Sequence, residues 1–128
     1  MDPLPLTLFL LPDTFAVCRL PAEAALPAWA TAGALYAITR TAEELSLVCP
    51  QQHVPADITC QTGWRCLQVA GPLDFALTGV LASLAQPLAA AGVSIFALST
   101  YNTDYMLVPS ADLQTAVAAL HSSGHVLA

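Results

Sequence analysis

Between Gly71 and Gly124 the chain alternates between two hydrophobic periods. Leu77, Leu81, Leu84, Leu88 and Ala91 follow the three-and-four spacing that lines one side of an α-helix, and Gly92 ends it. Asp74 is expected to cap this helix with Phe75 opening it, and Pro87 to kink it. Val93 to Leu98 is almost wholly apolar, which predicts a strand covered on both faces. Tyr101 to Asp104 predicts a turn, and Tyr105 to Val108 the returning strand of a hairpin, closed by Pro109. Ser110 is a suitable N-cap for a second helix, with Asp112 in its first turn and Leu113, Val117 and Leu120 on one face up to Gly124. With Trp64–Val69 before this stretch and Val126–Leu127 after it, the order is strand, helix, strand, strand, helix, strand. That βαββαβ order predicts an α+β, ferredoxin-like fold: an antiparallel sheet with both helices on one face.

The first half is leaner. Leu4–Leu11 predicts a strand ended by a turn at Pro12 and Asp13, and Phe15–Leu20 a second strand. Pro27 limits Pro21–Thr31 to a short helix. Ala34–Thr39 alternates as a strand does, Thr41 and Glu44 form a capping box worth one turn, and Leu45–Cys49 is again extended. Pro50–Gly63 is polar and without period. Residues 1–62 therefore read as a shortened copy of residues 63–128, suited to extending the sheet or covering its bare face within one compact body.

Composition narrows the function. In 128 residues, 56% of them hydrophobic, the chain carries three Arg, no Lys and nine acidic residues, a formal net charge of -6. Such a surface lacks the cations that neutralise phosphates, so nucleic acid is not an expected partner. The apolar runs fall short of the ~20 residues that cross a bilayer, no secretory pattern opens the chain, and the expected location is cytoplasmic. Cys18, Cys49, Cys60 and Cys66 contain no C-x-x-C pair and are expected to be buried free thiols. His121 and His125 have a helical metal-pair spacing, but Gly124 between them ends the helix, so no metal is expected. No cofactor motif is present. Cys49 with His53, or Ser83 with a remote His, are the candidate nucleophiles; none stands in a recognisable elbow, neither Cys49 nor His53 has a basic residue nearby to lower a thiol pKa, and no enzyme is expected.

The segments ALYAITRTAEELSLVCP and GPLDFALTGVLASLAQPLAAAGVSIFALSTYNTDYMLV, with the closing helix, resemble the small bacterial proteins built of two ACT domains, the first atypical. The S-T-Y-N-T-D-Y hairpin after a glycine-bounded helix is the most specific part. It also resembles the ACT domains of the mammalian cytosolic arginine sensors of the TOR pathway. The resemblance implies a regulatory module, commonly for amino acids, that pairs side by side with another ACT domain and does no catalysis. Carried over by position, Gly79, Thr100, Tyr101 and Asp104 would contact the ligand. Where the sensors hold the guanidinium with an acidic residue this chain has Leu77, which favours an uncharged ligand.

An amino acid needs N–H groups for its carboxylate, an anion or acceptor for its ammonium, and a pocket for its side chain. The N–H groups near Leu77, Thr78 and Gly79, read as the first helical turn, suit the carboxylate, and Gly79 lets a ligand approach. Asp104 and the carbonyls near Thr100 and Tyr101 suit the ammonium, with Asn102 in the same turn. The alternative is a scaffold kept only for pairing. The helix side opposite the leucines, Thr78, Ala82, Gln86 and Ala89, is small and uncharged, which predicts a homodimer.

Overall fold

The computed structural model describes residues 5–74 and 77–128. The chain divides into two compact units, one from the described part of Met1–Pro12 together with Arg65–Ala128, the other Asp13–Trp64. Its strands are β1 (Thr7–Leu20), β2 (Ala37–Arg40), β3 (Leu45–Pro50), β4 (Cys60–Val69), β5 (Phe96–Ser99), β6 (Asp104–Pro109) and β7 (Val126–Leu127); its α-helices are α1 (Val80–Ala90) and α2 (Leu113–Ser122).

The first unit has the ferredoxin-like order β4-α1-β5-β6-α2-β7, with strands arranged β7-β1-β4-β6-β5. The beginning of β1 stands between β4 and β7. Thr7 accepts from the Ala70 N–H at 2.8 Å on one side, and Thr7 and Leu8 pair in parallel with Val126 and Leu127 on the other. A turn at Pro12 and Asp13 does not form: β1 runs through Pro12 as one 14-residue strand. Its register with β7 covers Thr7–Leu8 and that with β3 covers Phe15–Leu20, so Pro12 falls between the two ladders, where a missing N–H costs least.

Both helices pack on one face of this sheet. Leu84 and Leu88 of α1 and Ala116 and Leu120 of α2 are buried with Leu8, Leu67, Val69, Met106 and Val108. Each buried leucine contributes roughly 1.5–3 kcal/mol. The expected stripe holds only at Leu84 and Leu88, since Ala91 is exposed at the C-cap. Helix α1 begins at Val80, so Leu77 precedes it and is 48% exposed, while Leu81 in its first turn is 37% exposed. Asp74 lies six residues before the helix and does not cap it; the N-cap is Gly79, with no side-chain cap, and Phe75 lies outside the described residues. At the other end Gly92 (φ +76°) sends its N–H to the Ala89 carbonyl at 3.0 Å, and Val93 reaches back to Leu88 at 2.9 Å, the paired bonds that close a helix on glycine.

Two further expectations need correcting. Strand β5 starts at Phe96 and is not covered on both faces, since its residues alternate half-buried and exposed; among the described residues it pairs with β6 alone, at the edge of the sheet. Ser110 opens a 3-10 turn, Ser110–Asp112, and α2 follows from Leu113.

In the second unit β3 pairs with both β1 and β2. Ala16, Cys18, Ala30, Leu45 and Leu47 form its core, with Trp29, Val54, Ile58 and Cys60 packed against them. The Thr41 hydroxyl accepts from the N–H groups of Glu43 and Glu44, both at 3.1 Å, so the capping chemistry seen in the sequence builds the β2–β3 turn. Pro27 leaves only a 3-10 turn, Ala28–Thr31, of the expected short helix.

Candidate functional site

Strands β5 and β6 pair Ser99 with Asp104, leaving Thr100–Thr103 as a four-residue tip. The tip is tied by its own threonines. Thr100 N–H donates to the Thr103 carbonyl at 2.8 Å, and Thr103 N–H to the Thr100 hydroxyl at 3.3 Å. It is also tied to the end of β4 and the segment after it: the buried Thr103 hydroxyl donates to the Val69 carbonyl at 2.6 Å, and Leu73 N–H to the Asn102 carbonyl at 2.7 Å. Gly71 makes this approach possible, since a Cβ there would sit 2.9 Å from the Asn102 carbonyl oxygen and 3.0 Å from the Thr103 Cβ.

Fixing the tip against this segment opens a cleft of ≈ 200 Å³. One wall is Leu73, Asp74, Leu77 and Val80; the other runs from Ser99 through Asp104. Five of the residues singled out in the sequence therefore meet here: Leu77, Thr100, Tyr101, Asn102 and Asp104. Thr78 and Gly79 do not line it. Leu73, Asp74, Val80, Ser99 and Thr103 do, and sequence reasoning missed them as site residues. The signal for Leu73 was weak, because its place depends on the glycine-permitted approach at residue 71.

Asp104 is half-buried and accepts from the Ser99 hydroxyl at 2.7 Å, one bond for a carboxylate that can take several. The N–H groups are not where the sequence suggested. Leu77 N–H donates to the Asp74 carbonyl at 3.0 Å, and the first helical bond is Ser83 N–H to the Gly79 carbonyl at 2.9 Å. The amides of Val80, Leu81 and Ala82 thus precede the first helical donor, Ser83 N–H, and form the positive end of α1. Gly79 has φ +80°, where glycine alone is unstrained, and a Cβ there would meet nothing within 4 Å.

A larger groove of ≈ 670 Å³ runs along α2 and β7, lined by residues such as Leu113, Val117 and His121. It lacks an acid facing a helix start. His125 at its edge is buried and already engaged at both nitrogens, Nδ1 accepting from the Leu6 N–H and Nε2 donating to the Ser83 carbonyl, each at 3.1 Å. His121 is exposed, and among the described residues no three His, Cys, Asp or Glu side chains converge as metal ligands. Among the described residues no helix is long and apolar enough to cross a membrane.

The ACT domain profile matches residues 59–122, and a separate N-terminal domain profile matches residues 13–57. The crystal structure of protein Atu0741 from Agobacterium tumefaciens is 38% identical, with a TM-score of 0.93 over 98% of this chain and 94% of that one. The cytosolic arginine sensor for mTORC1 subunit 1 of Homo sapiens is 37% identical over 75 residues, 55% of this chain but only 23% of the sensor. The chain thus spans less than a quarter of the length of such curated relatives. The regulatory subunit of aspartate kinase from Thermus thermophilus shares the fold, with a TM-score of 0.61 at 12% identity over 87% of this chain. The chain belongs to the ACT domain family.

Proposed function

We propose that the chain is a cytoplasmic regulatory module that binds a small uncharged amino acid in the cleft beside the hairpin tip and pairs with a second ACT unit, without catalysis. The observation that carries this reading is the placing of an acid, Asp104, across a small cleft from the positive start of α1. A zwitterion presents the complementary pair of charges. Its ammonium would meet Asp104 and its carboxylate the amides of Val80–Ala82, with Leu73 and Leu77 around the side chain. The cleft holds about seven waters' worth of volume at ≈ 30 Å³ each, room for a small amino acid. Leu77 offers no charge to a guanidinium. Arginine sensing by the mammalian relatives supports amino acids as the ligand class.

A thermal-shift screen of the twenty amino acids tests this. A ligand at a hundred times its Kd adds roughly 2.7 kcal/mol of stability, which moves Tm by roughly 10 °C in a domain of this size. One or more small uncharged amino acids should produce such a shift; a flat response to all twenty would leave pairing as the scaffold's use.

Pairing is expected through the exposed small side of α1, where Ala82, Gln86 and Ala89, with Thr78 just before the helix, leave an uncharged surface. Light scattering should find a homodimer, and a monomer at every accessible concentration would remove this part of the reading.

A further inference from the structure

Three of the four cysteines meet in the core of the Asp13–Trp64 unit. Cys18 on β1 and Cys49 on β3 are buried, while Cys60 at the start of β4 is partly open to solvent. The Cys18 thiol stands close enough to both of the others for each to act on it. Their positions on the strands are not equivalent. On β3, Leu47 stands opposite Cys18 and Ala16 opposite Cys49, so Cys49 is a diagonal neighbour, and diagonal Cα atoms are ≈ 7–8 Å apart, beyond the 4.4–6.8 Å that a disulfide spans. Toward β4, Arg19 N–H donates to the Thr59 carbonyl at 3.0 Å, as Ala70 N–H does to Thr7, so the two strands run antiparallel. That bond makes Arg19 and Thr59 a hydrogen-bonded pair and puts Cys18 opposite Cys60 in the next, non-bonded pair. Such pairs have Cα atoms ≈ 4.5 Å apart, within disulfide range.

We propose that Cys18 and Cys60 form an oxidisable pair, with Cys60 the thiol that a hydroperoxide attacks and Cys18 the thiol that resolves it into a disulfide. The division of roles follows exposure. Burial first, and then Cys49 and Cys60, push the Cys18 thiol up to about 12, and burial likewise raises Cys49, so neither is a ready thiolate. Cys60 is the sulfur a solvent-borne oxidant reaches. Its thiolate takes the distal peroxide oxygen as the O–O bond breaks, and the departing alkoxide or hydroxide takes the proton. The Cys18 sulfur then attacks Cys60 Sγ, the S–O bond breaks, and the hydroxyl leaves as water with the Cys18 proton. Two thiols and one hydroperoxide give one disulfide, one alcohol or water, and one water.

The chain suits a direct test, because its only tryptic sites are Arg19, Arg40 and Arg65. The reduced full-length protein is treated with hydrogen peroxide, its remaining thiols are alkylated, and the digest is read by tandem mass spectrometry. Peptides 1–19 and 41–65 should appear joined, with fragments placing the bond at Cys60, in the wild type and in Cys49→Ser. Cys60→Ser should show no joined pair. Fragments placing the bond at Cys49, joined peptides surviving in Cys60→Ser, or a wild type that keeps four alkylatable thiols or over-oxidises at Cys60 without joining would each overturn the assignment.

Discussion

His125→Ala is expected to lower the unfolding free energy by about 3 kcal/mol, within the range for losing a buried, hydrogen-bonded side chain. The reason begins on α1. Pro87 has no N–H, so the Ser83 carbonyl four residues earlier loses its helical donor. His125 Nε2 supplies that donor at 3.1 Å, and Nδ1 of the same ring accepts from Leu6 N–H at 3.1 Å. One imidazole thus replaces a missing helix bond and holds the incoming chain beside β7. Alanine leaves both backbone groups without these partners and opens a cavity at a residue only 2% exposed. Urea unfolding followed by circular dichroism checks this, and a companion Pro87→Ala separates the contributions: by restoring an N–H for Ser83 it should recover part of the loss in the double variant. A His125→Ala protein as stable as the wild type would contradict the ring's role.

The second large effect falls on binding. Asp104→Ala should weaken the amino acid ligand on the order of ten- to a hundredfold, the equivalent of about 1.5–3 kcal/mol for a charge-assisted hydrogen bond. The fold should persist, because the Asp104 carboxylate is half-buried and its partner within the chain is the Ser99 hydroxyl. Asp104→Asn keeps an acceptor for Ser99 and removes the charge, so it should bind nearly as weakly as the alanine variant. Calorimetry with the amino acid selected by the thermal-shift screen checks both, and unchanged affinity in both would remove Asp104 from the site. Gly79→Val is a poor probe of ligand contact: at φ +80° a side chain strains the entry to α1 whatever the ligand does.

Local signals carried the fold further than they carried the site. The α1 and α2 periods, the glycine that ends each helix and the polar tip between β5 and β6 are all short-range patterns, and each is present. The hairpin side of the cleft was legible for the same reason, since Thr100 to Asp104 are neighbours in sequence. The opposite wall was not. The spacing of Leu77 to Leu81 fits a helix, but Gly79 in the left-handed region delays the helix to Val80, and the amides available to a carboxylate move with it. The insertion of β1 between β4 and β7 depends on pairing over more than a hundred residues, which no periodicity encodes. His125 was legible only in hindsight: a proline inside a helix frees a carbonyl, and a distant side chain must answer it.

The central claim is that the ligand lies between the hairpin tip and the start of α1. Titrating the selected amino acid into isotopically labelled protein and following the amide resonances tests it most directly. The account predicts saturable shifts concentrated at Val80, Leu81, Ala82, Thr100, Tyr101 and Asp104. Shifts concentrated instead at Leu113, Val117 and His121, along the α2–β7 groove, would contradict it.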